Sequence, residues 1–192
     1  MAKVARAERD ALRLIGSGPV VFLTTMFRDQ PNVMTAGWLL PLSLDPVLIG
    51  VAVQPSRLSH EFMTKSEQFA ISLPTMDSLA AIHGCGETSG RDGDKFERFG
   101  LTPQDPHEIE APLIGECVAH IECGVIDRVH WGDHDLFVGS VLHVSADPLA
   151  FRETWLPEDG VQIVHHLGGD RYAGMGAAYR ASAPPDDDSE SG

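Results

Sequence analysis

The tetrapeptide Ser56-Arg57-Leu58-Ser59 sets a guanidinium between two hydroxyls, directly after Pro55 closes an apolar run. A guanidinium is a fixed positive charge with a fork of N–H donors that matches an oxyanion, and hydroxyls add hydrogen bonds to the same group. A helix starting just beyond would point its unpaired first N–H groups at the same spot. These donors suit a phosphate monoester. A solvated turn with a helix cap uses the same residue types, so the tetrapeptide alone leaves both readings open. Upstream, Thr35, Ala36 and Gly37 precede Trp38, and side chains this small let a flat ligand approach the main chain. A β-bulge is the other reading of those residues. Further on, the polar, glycine-rich loop from Gly84 to Gly93 reads equally as a surface loop or as part of a site.

The elements that must hold these groups follow from periodicity. Val4, Leu12 and Ile15 have helical spacing, predicting a short amphipathic helix over Ala2 to Ile15 that Gly16-Ser17-Gly18-Pro19 stops. That glycine pair is no dinucleotide fingerprint, because the helix precedes it and the third glycine is missing. Strands are expected at Val20 to Thr25, Asn32 to Leu40, Val47 to Val53 and Gln68 to Leu73, with a turn at Arg28-Asp29-Gln30-Pro31. Short helices are expected at His60 to Lys65, at Asp77 to His83 and around Lys95 to Leu101. The acidic, proline-rich stretch from Thr102 to Pro112 reads as a connector. Glu116 to Val129 and Leu136 to Ala146 form a long hairpin with His134 at its rim, and Gln162 to Leu167 a last strand before a turn at Gly168-Gly169-Asp170. Residues 1–180 then make one domain, and the segment 181–192, rich in Pro, Ser and Asp, a disordered acidic tail.

Composition excludes several classes. With 14 Lys and Arg against 28 Asp and Glu, the formal charge of −14 argues against nucleic-acid binding and against anionic membranes. The acidity survives removal of Asp186, Asp187, Asp188 and Glu190 in the tail. An anionic ligand must therefore be held by locally placed cations such as Arg57, Arg91 and Lys95. Cys85, Cys117 and Cys123 form neither a paired disulfide framework nor a CxxC motif, and no apolar signal segment follows Met1, so a cytoplasmic protein is expected. No run approaches the roughly twenty apolar residues of a membrane span. A metal-dependent barrel enzyme would need several of the nine histidines, yet no close His pair with a carboxylate stands at ligand spacing in the chain, and no metal is expected. His165 and His166 would point to opposite faces of a strand and cannot easily share an ion.

The wider pattern resembles the flavin reductase-like family of FMN-binding split barrels, the flavoredoxin and NAD(P)H:flavin oxidoreductase type. The residues that carry the resemblance are Asn32-Val33-Met34-Thr35-Ala36 with Trp38 and Pro41, then Pro55-Ser56-Arg57-Leu58-Ser59. To these add Ser89-Gly90-Arg91-Asp92-Gly93-Asp94-Lys95-Phe96 with Gly100-Leu101, and Gly132-Asp133-His134 with Gly139. The resemblance implies a mainly β fold, a Greek-key antiparallel split β-barrel with flanking short helices. It implies that FMN, or FAD, is bound by Arg57 and Ser59 at the phosphate and by polar contacts from Ser56 and Asn32. Main-chain groups of Met34, Thr35 and Ala36 would meet the pyrimidine edge, and Ser89, Gly90 and Arg91, with Lys95 nearby, would help to line the flavin. It further implies a homodimer, NADH or NADPH as electron donor, and His134 as a contact for the nicotinamide nucleotide. The flavin carries the redox chemistry, so no side chain is expected to act as a proton-transfer catalyst. The expected function is an NAD(P)H-dependent flavin reductase, feeding a monooxygenase or another acceptor. A non-catalytic flavin carrier acting with a protein partner is the alternative, and a haem-binding barrel a third reading that an absorption spectrum separates at once.

Overall fold

The computed structural model describes residues 7–8, 10–157, 160–179 and 181. Its main element is a seven-stranded antiparallel sheet made of β1 (Val21–Phe27), β2 (Gln30–Ala36), β3 (Leu39–Leu44), β4 (Val47–Val53), β5 (Gln68–Leu73), β8 (Ala119–Trp131) and β9 (His134–Ala146). Two small ribbons pair β6 (Pro103–Gln104) with β7 (Leu113–Ile114) and β10 (Val164–Gly168) with β11 (Arg171–Gly174). The helices are α1 (Asp10–Ile15), α2 (Leu58–Ser66), α3 (Leu79–Glu87) and α4 (Lys95–Phe99).

The sheet order β2-β1-β5-β8-β9-β4-β3 puts β2 and β3 at opposite ends, yet only Gly37 and Trp38 separate them in the chain. The three Cα–Cα steps from Ala36 to Leu39 span about 11 Å at most, so the sheet must roll up until its ends come close together. The result is a barrel with an open seam between β2 and β3. Its interior packs Val21 and Leu23 of β1 and Ala36 of β2 against Val51 and Val53 of β4, with Phe69, Cys123 and Phe137 between them. Alternate residues of the same strands, Phe22 and Val33, face outward. They pack under Ala81, Ile82 and Cys85 of α3 and Phe96 of α4. Period-two alternation therefore feeds two cores from one pair of strands. The mainly β, Greek-key split barrel with flanking short helices is the fold observed.

Several boundaries differ from the sequence expectation, each for a local reason. The run Asn32 to Leu40 is two strands, because the chain turns the barrel corner at Gly37-Trp38. The turn expected over Arg28 to Pro31 contracts to Arg28 and Asp29, both at positive φ (53° and 57°), as a tight two-residue hairpin demands. Pro31 is tolerated inside β2 because β2 is a terminal strand and needs no second ladder partner. The helix expected at Asp77 to His83 begins as a 3₁₀ turn and runs on to Glu87, so the first four residues of the expected glycine-rich loop, Gly84 to Glu87, are helical. The connector contains β6 and ends just before its ribbon partner β7, and the long hairpin closes through only Gly132-Asp133, with Gly132 at φ 63°.

At the amino end the described part of the expected helix is α1, six residues long, and its Leu12 and Ile15 are 51% and 81% exposed instead of forming a buried face. Of the rest of that expectation only Ala7 and Glu8 are described, and they are not helical; of the tail expected to be disordered, only Ala181 is described. No helix among the described residues is long and apolar enough to cross a membrane.

Candidate functional site

Three elements meet beside the seam. β2 brings Asn32, Met34 and Thr35, the start of α2 brings Ser56 to Ser59, and the end of α3 with the following turn brings Cys85, Gly86, Thr88, Ser89 and Gly90. Lys95, the first residue of α4, completes the lining of a cleft of about 190 Å³. Ten of the twelve sequence-predicted site residues are thereby accounted for or absent as follows. Asn32, Met34, Thr35, Ser56, Arg57, Ser59, Ser89, Gly90 and Lys95 line this cleft together. Ala36 does not, since its side chain lies in the barrel core and only its main chain is left to serve.

The cleft gathers hydrogen-bond donors and cations. Arg57 caps α2 with extended backbone (φ −77°, ψ 141°) and makes no side-chain cap, so the first-turn N–H groups are left without a capping side chain. Asn32 is buried and donates through Nδ2 to Ser59 Oγ at 2.7 Å, which fixes both polar side chains across the cleft. Gly90 stands so close to Asn32 that a Cβ there would overlap Oδ1, so the narrow approach itself requires glycine. Lys95 is only 5% exposed, and its Nζ donates to the carbonyls of Cys85 (3.0 Å) and Thr88 (3.2 Å). It thus closes the carboxyl end of α3, where unpaired carbonyls attract a cation. Burial holds the Lys95 ammonium below the usual lysine range, and the nearby Arg57 guanidinium pushes the same way. Two cations therefore face one cleft whose lining contains no carboxylate, in a chain of formal charge −14.

β2 ends the sheet, so one edge of its main chain has no strand partner. The Thr35 hydroxyl is already committed to the Ile82 carbonyl, which leaves main-chain groups of this strand for a heterocycle. Past Thr35 and Gly86 the cleft continues into a hollow of about 200 Å³ lined by Gly37, His83, Glu87, His166, Gly169 and Tyr172. Each part is smaller than the 300 Å³ or so of an ordinary ligand pocket, but sharing Thr35 and Gly86 makes them one trough. His83, Tyr172 and His166 were missed in the sequence, where nothing marks them; the His83 Nδ1 and Tyr172 hydroxyl lie 3.2 Å apart. Burial pushes the Cys85 thiol up to about 11, so it lines the cleft as a neutral group and not as a thiolate.

Two predicted residues stand outside the cleft. Arg91 borders the shallow depression beyond Gly90, and its guanidinium is paired with Glu61 Oε2 at 2.8 Å. His134 begins β9, bonds to Asp133 through Nδ1 at 2.7 Å, and stacks on Trp38 with ring centroids 4.6 Å apart. Trp38 in turn lines a larger depression of about 530 Å³ that adjoins the trough through His166 and Gly169.

The helix that carries Arg57 is pinned by a buried carboxylate. Asp135 Oδ2 lies 2.7 Å from His60 Nε2 of α2, and Oδ1 lies 2.6 Å from His130 Nδ1 of β8. Hydrogen bonds from His60 and then His130 hold the Asp135 carboxyl below the ordinary aspartate range. A depressed folded-state value means the stabilisation is present above the unfolded pKa, near 3.9, and is lost as pH falls through the folded value. We therefore expect Asp135→Asn to lose about 1–3 kcal/mol near neutrality and to flatten the acid limb below about pH 4. Urea unfolding at a series of pH values checks this, and an unchanged acid limb would remove Asp135 as its source.

A family model described as flavin reductase-like domain matches residues 15–170. An uncharacterized protein of Archaeoglobus fulgidus is 41% identical over 117 residues, which cover 61% of this chain and 66% of that protein. An NADH-dependent FAD reductase of Streptomyces globisporus is 30% identical over 138 residues, 71% of this chain and 75% of that enzyme. Among solved structures, the flavoredoxin of Desulfovibrio vulgaris (Miyazaki F) superposes with a TM-score of 0.81 at 29% identity, covering 97% of this chain and 99% of the other.

Proposed function

The chain belongs to the flavin reductase-like domain family, and from that premise we propose that it is an FMN-binding oxidoreductase that uses NADH or NADPH to reduce the flavin. One observation carries the reading: Arg57 and Lys95 converge, with Asn32, Ser56 and Ser59, on a cleft that has no acidic lining residue. Those residues fit a phosphate, and the trough beyond Thr35 and Gly86, edged by the unpaired side of β2, fits a flat heterocycle. When bound, a flavin supplies hydride and single-electron chemistry that no side chain here provides. The protein's part is to hold the phosphate, present main-chain donors and acceptors to the ring edge, and shield one ring face. Arg91 and His134 take supporting places: Arg91 closes the outer rim through Glu61, and His134 backs Trp38 where a nicotinamide nucleotide would enter. FAD fits the same phosphate seat with its remaining half in solvent. An oxygenase or another acceptor takes the electrons, and the three free thiols suit a reducing, cytoplasmic setting.

The experiment is direct. Purified protein is titrated with FMN and then followed for NADH and NADPH oxidation with free flavin in excess. Steady turnover supports the reductase. The likeness to a flavoredoxin favours a second reading, a carrier that keeps FMN and passes electrons to a protein partner. Tight FMN retention without nucleotide oxidation would decide for the carrier, and absence of FMN binding would defeat both.

The proposal includes a homodimer. Leu40 and Leu42 of β3 and Leu136 of β9 crowd over Gly50, and Leu142 lies over Gly124, so these leucines share one face of the sheet. Leu40, Leu42 and Leu142 are 47%, 40% and 51% exposed, an apolar face suited to a second copy through two-fold pairing. Leu142→Glu is expected to convert dimer to monomer in sedimentation equilibrium, and a dimer of undiminished strength would move the interface elsewhere.

A further inference from the structure

Far along the chain from the cleft, three residues with metal-binding side chains come together: His107 from the connector, Glu122 from β8 and His143 from β9. Their separations of 15 and 21 residues gave no ligand spacing to the eye; the fold supplies it. Glu122 and His143 are direct partners across the β8–β9 ladder, and His107 is laid over them by the chain between β6 and β7. The register shifts immediately beyond this pair, between Glu122 and Cys123, where Leu142 is the extra residue of β9. Bulges commonly mark places where a side chain has been re-aimed.

The carboxylate is the unusual member. Glu122 is fully buried, and its oxygens accept N–H bonds from His107 (3.0 Å) and Glu108 (2.8 Å), with the His107 ring nitrogen Nδ1 3.2 Å from Oε1. Among the described residues no lysine or arginine pairs with it; His107 is its only ion-pair partner. Those N–H bonds stabilise the carboxylate against burial, yet no lysine or arginine neutralises it. The rings of His107 and His143 stack at 4.1 Å and 20°, an arrangement that two imidazolium ions would oppose by repulsion. What the cluster lacks is one compact positive charge that all three groups can face.

We propose that His107, Glu122 and His143 form a binding site for a divalent transition ion of the zinc type. Two imidazoles and one carboxylate are the donor set such ions favour, and a water takes the fourth position on the solvent side, where the His107 side chain is 56% exposed. One ligand atom from each residue already lies within 4.8 Å of the others. Bonds of about 2.0–2.2 Å around a tetrahedral ion place ligand atoms roughly 3.3–3.5 Å apart, so the 3.2 Å from His107 Nδ1 to Glu122 Oε1 is one edge of that figure. Rotation of the exposed His107 ring closes the remainder. The ion replaces the proton shared along that edge and clips the connector to the β8–β9 hairpin. None of the three residues lines the anion cleft or the trough, so this site stands or falls apart from the flavin reading.

The test uses the full chain, freed of metal by a chelator and then titrated with zinc chloride in equilibrium dialysis and in thermal unfolding, with cobalt chloride as a spectroscopic substitute. One zinc per chain is expected, with Tm raised by about 5–10 °C at roughly a hundredfold excess over Kd. The cobalt form is expected to show the intense visible bands of a four-coordinate site. Both His107→Ala and His143→Ala, at positions that are not fully buried, are expected to fold and to weaken zinc binding by about tenfold or more. His165→Ala, a histidine outside the cluster, is expected to bind as the unaltered chain does. Zinc binding of equal affinity and stoichiometry in the His107 and His143 variants, or no zinc bound by the unaltered chain, would overturn the proposal.

Discussion

Replacing Arg57 by alanine is expected to weaken FMN binding by roughly tenfold to more than a hundredfold while leaving riboflavin binding nearly unchanged. The magnitude follows from a charge-assisted hydrogen bond to phosphate, worth about 1.5–3 kcal/mol. The selectivity follows from position. Arg57 stands at the start of α2 beside Ser56, Leu58 and Ser59, while the ring-sized part of the trough lies on the other side of Thr35 and Gly86. Riboflavin has the ring and lacks the phosphate, so the ratio of the two affinities isolates the guanidinium. Lys95 cannot take over the task, because its ammonium is held by the carbonyls of Cys85 and Thr88. Fluorescence titration of both ligands into both proteins gives the four constants. If FMN affinity is unchanged in a folded variant, Arg57 is not in the phosphate seat.

How much of this was legible beforehand depends on the range of the physics involved. The strand positions were readable because alternation and β-branched runs are local signals, and the polar group from Ser56 to Ser59 because its residues are contiguous. Nine of the twelve residues singled out do share one cleft. The Arg91–Glu61 pair could not be read, because only the folded chain brings Glu61, thirty residues away, within reach of the Arg91 guanidinium. The contact of His134 with Trp38 was likewise not readable, since the two are far apart in the chain and meet only in the fold. The corner at Gly37-Trp38 was invisible since it arises from barrel closure, a property of the whole sheet. The His107, Glu122 and His143 cluster was invisible for the same reason: two of its members meet through strand register and the third through a connector with no periodicity.

The second large effect is expected at Gly86, where the trough narrows between α3 and β2. A Cβ there would meet Thr35 Cβ at 3.6 Å, an ordinary contact, so Gly86→Ala fits, and alanine favours the helix by up to about 1 kcal/mol. A longer side chain must run along the trough, because Gly86 lines both the cleft and the hollow beyond it. Burying an aromatic ligand of about 150–250 Å² contributes some 4–6 kcal/mol at about 25 cal/mol per Å². Excluding half of it costs about 2–3 kcal/mol, so Gly86→Leu is expected to weaken FMN by some thirtyfold to more than a hundredfold with Tm held or raised. Unlike the Arg57 change, this one removes ring contacts, so riboflavin and FMN should lose affinity by the same factor. The two variants are thus told apart by the FMN-to-riboflavin ratio, which Arg57→Ala lowers and Gly86→Leu leaves as it was. If Gly86→Leu bound both flavins as the unaltered chain does, the ring would lie elsewhere, and the path from phosphate to heterocycle past Thr35 would have to be redrawn.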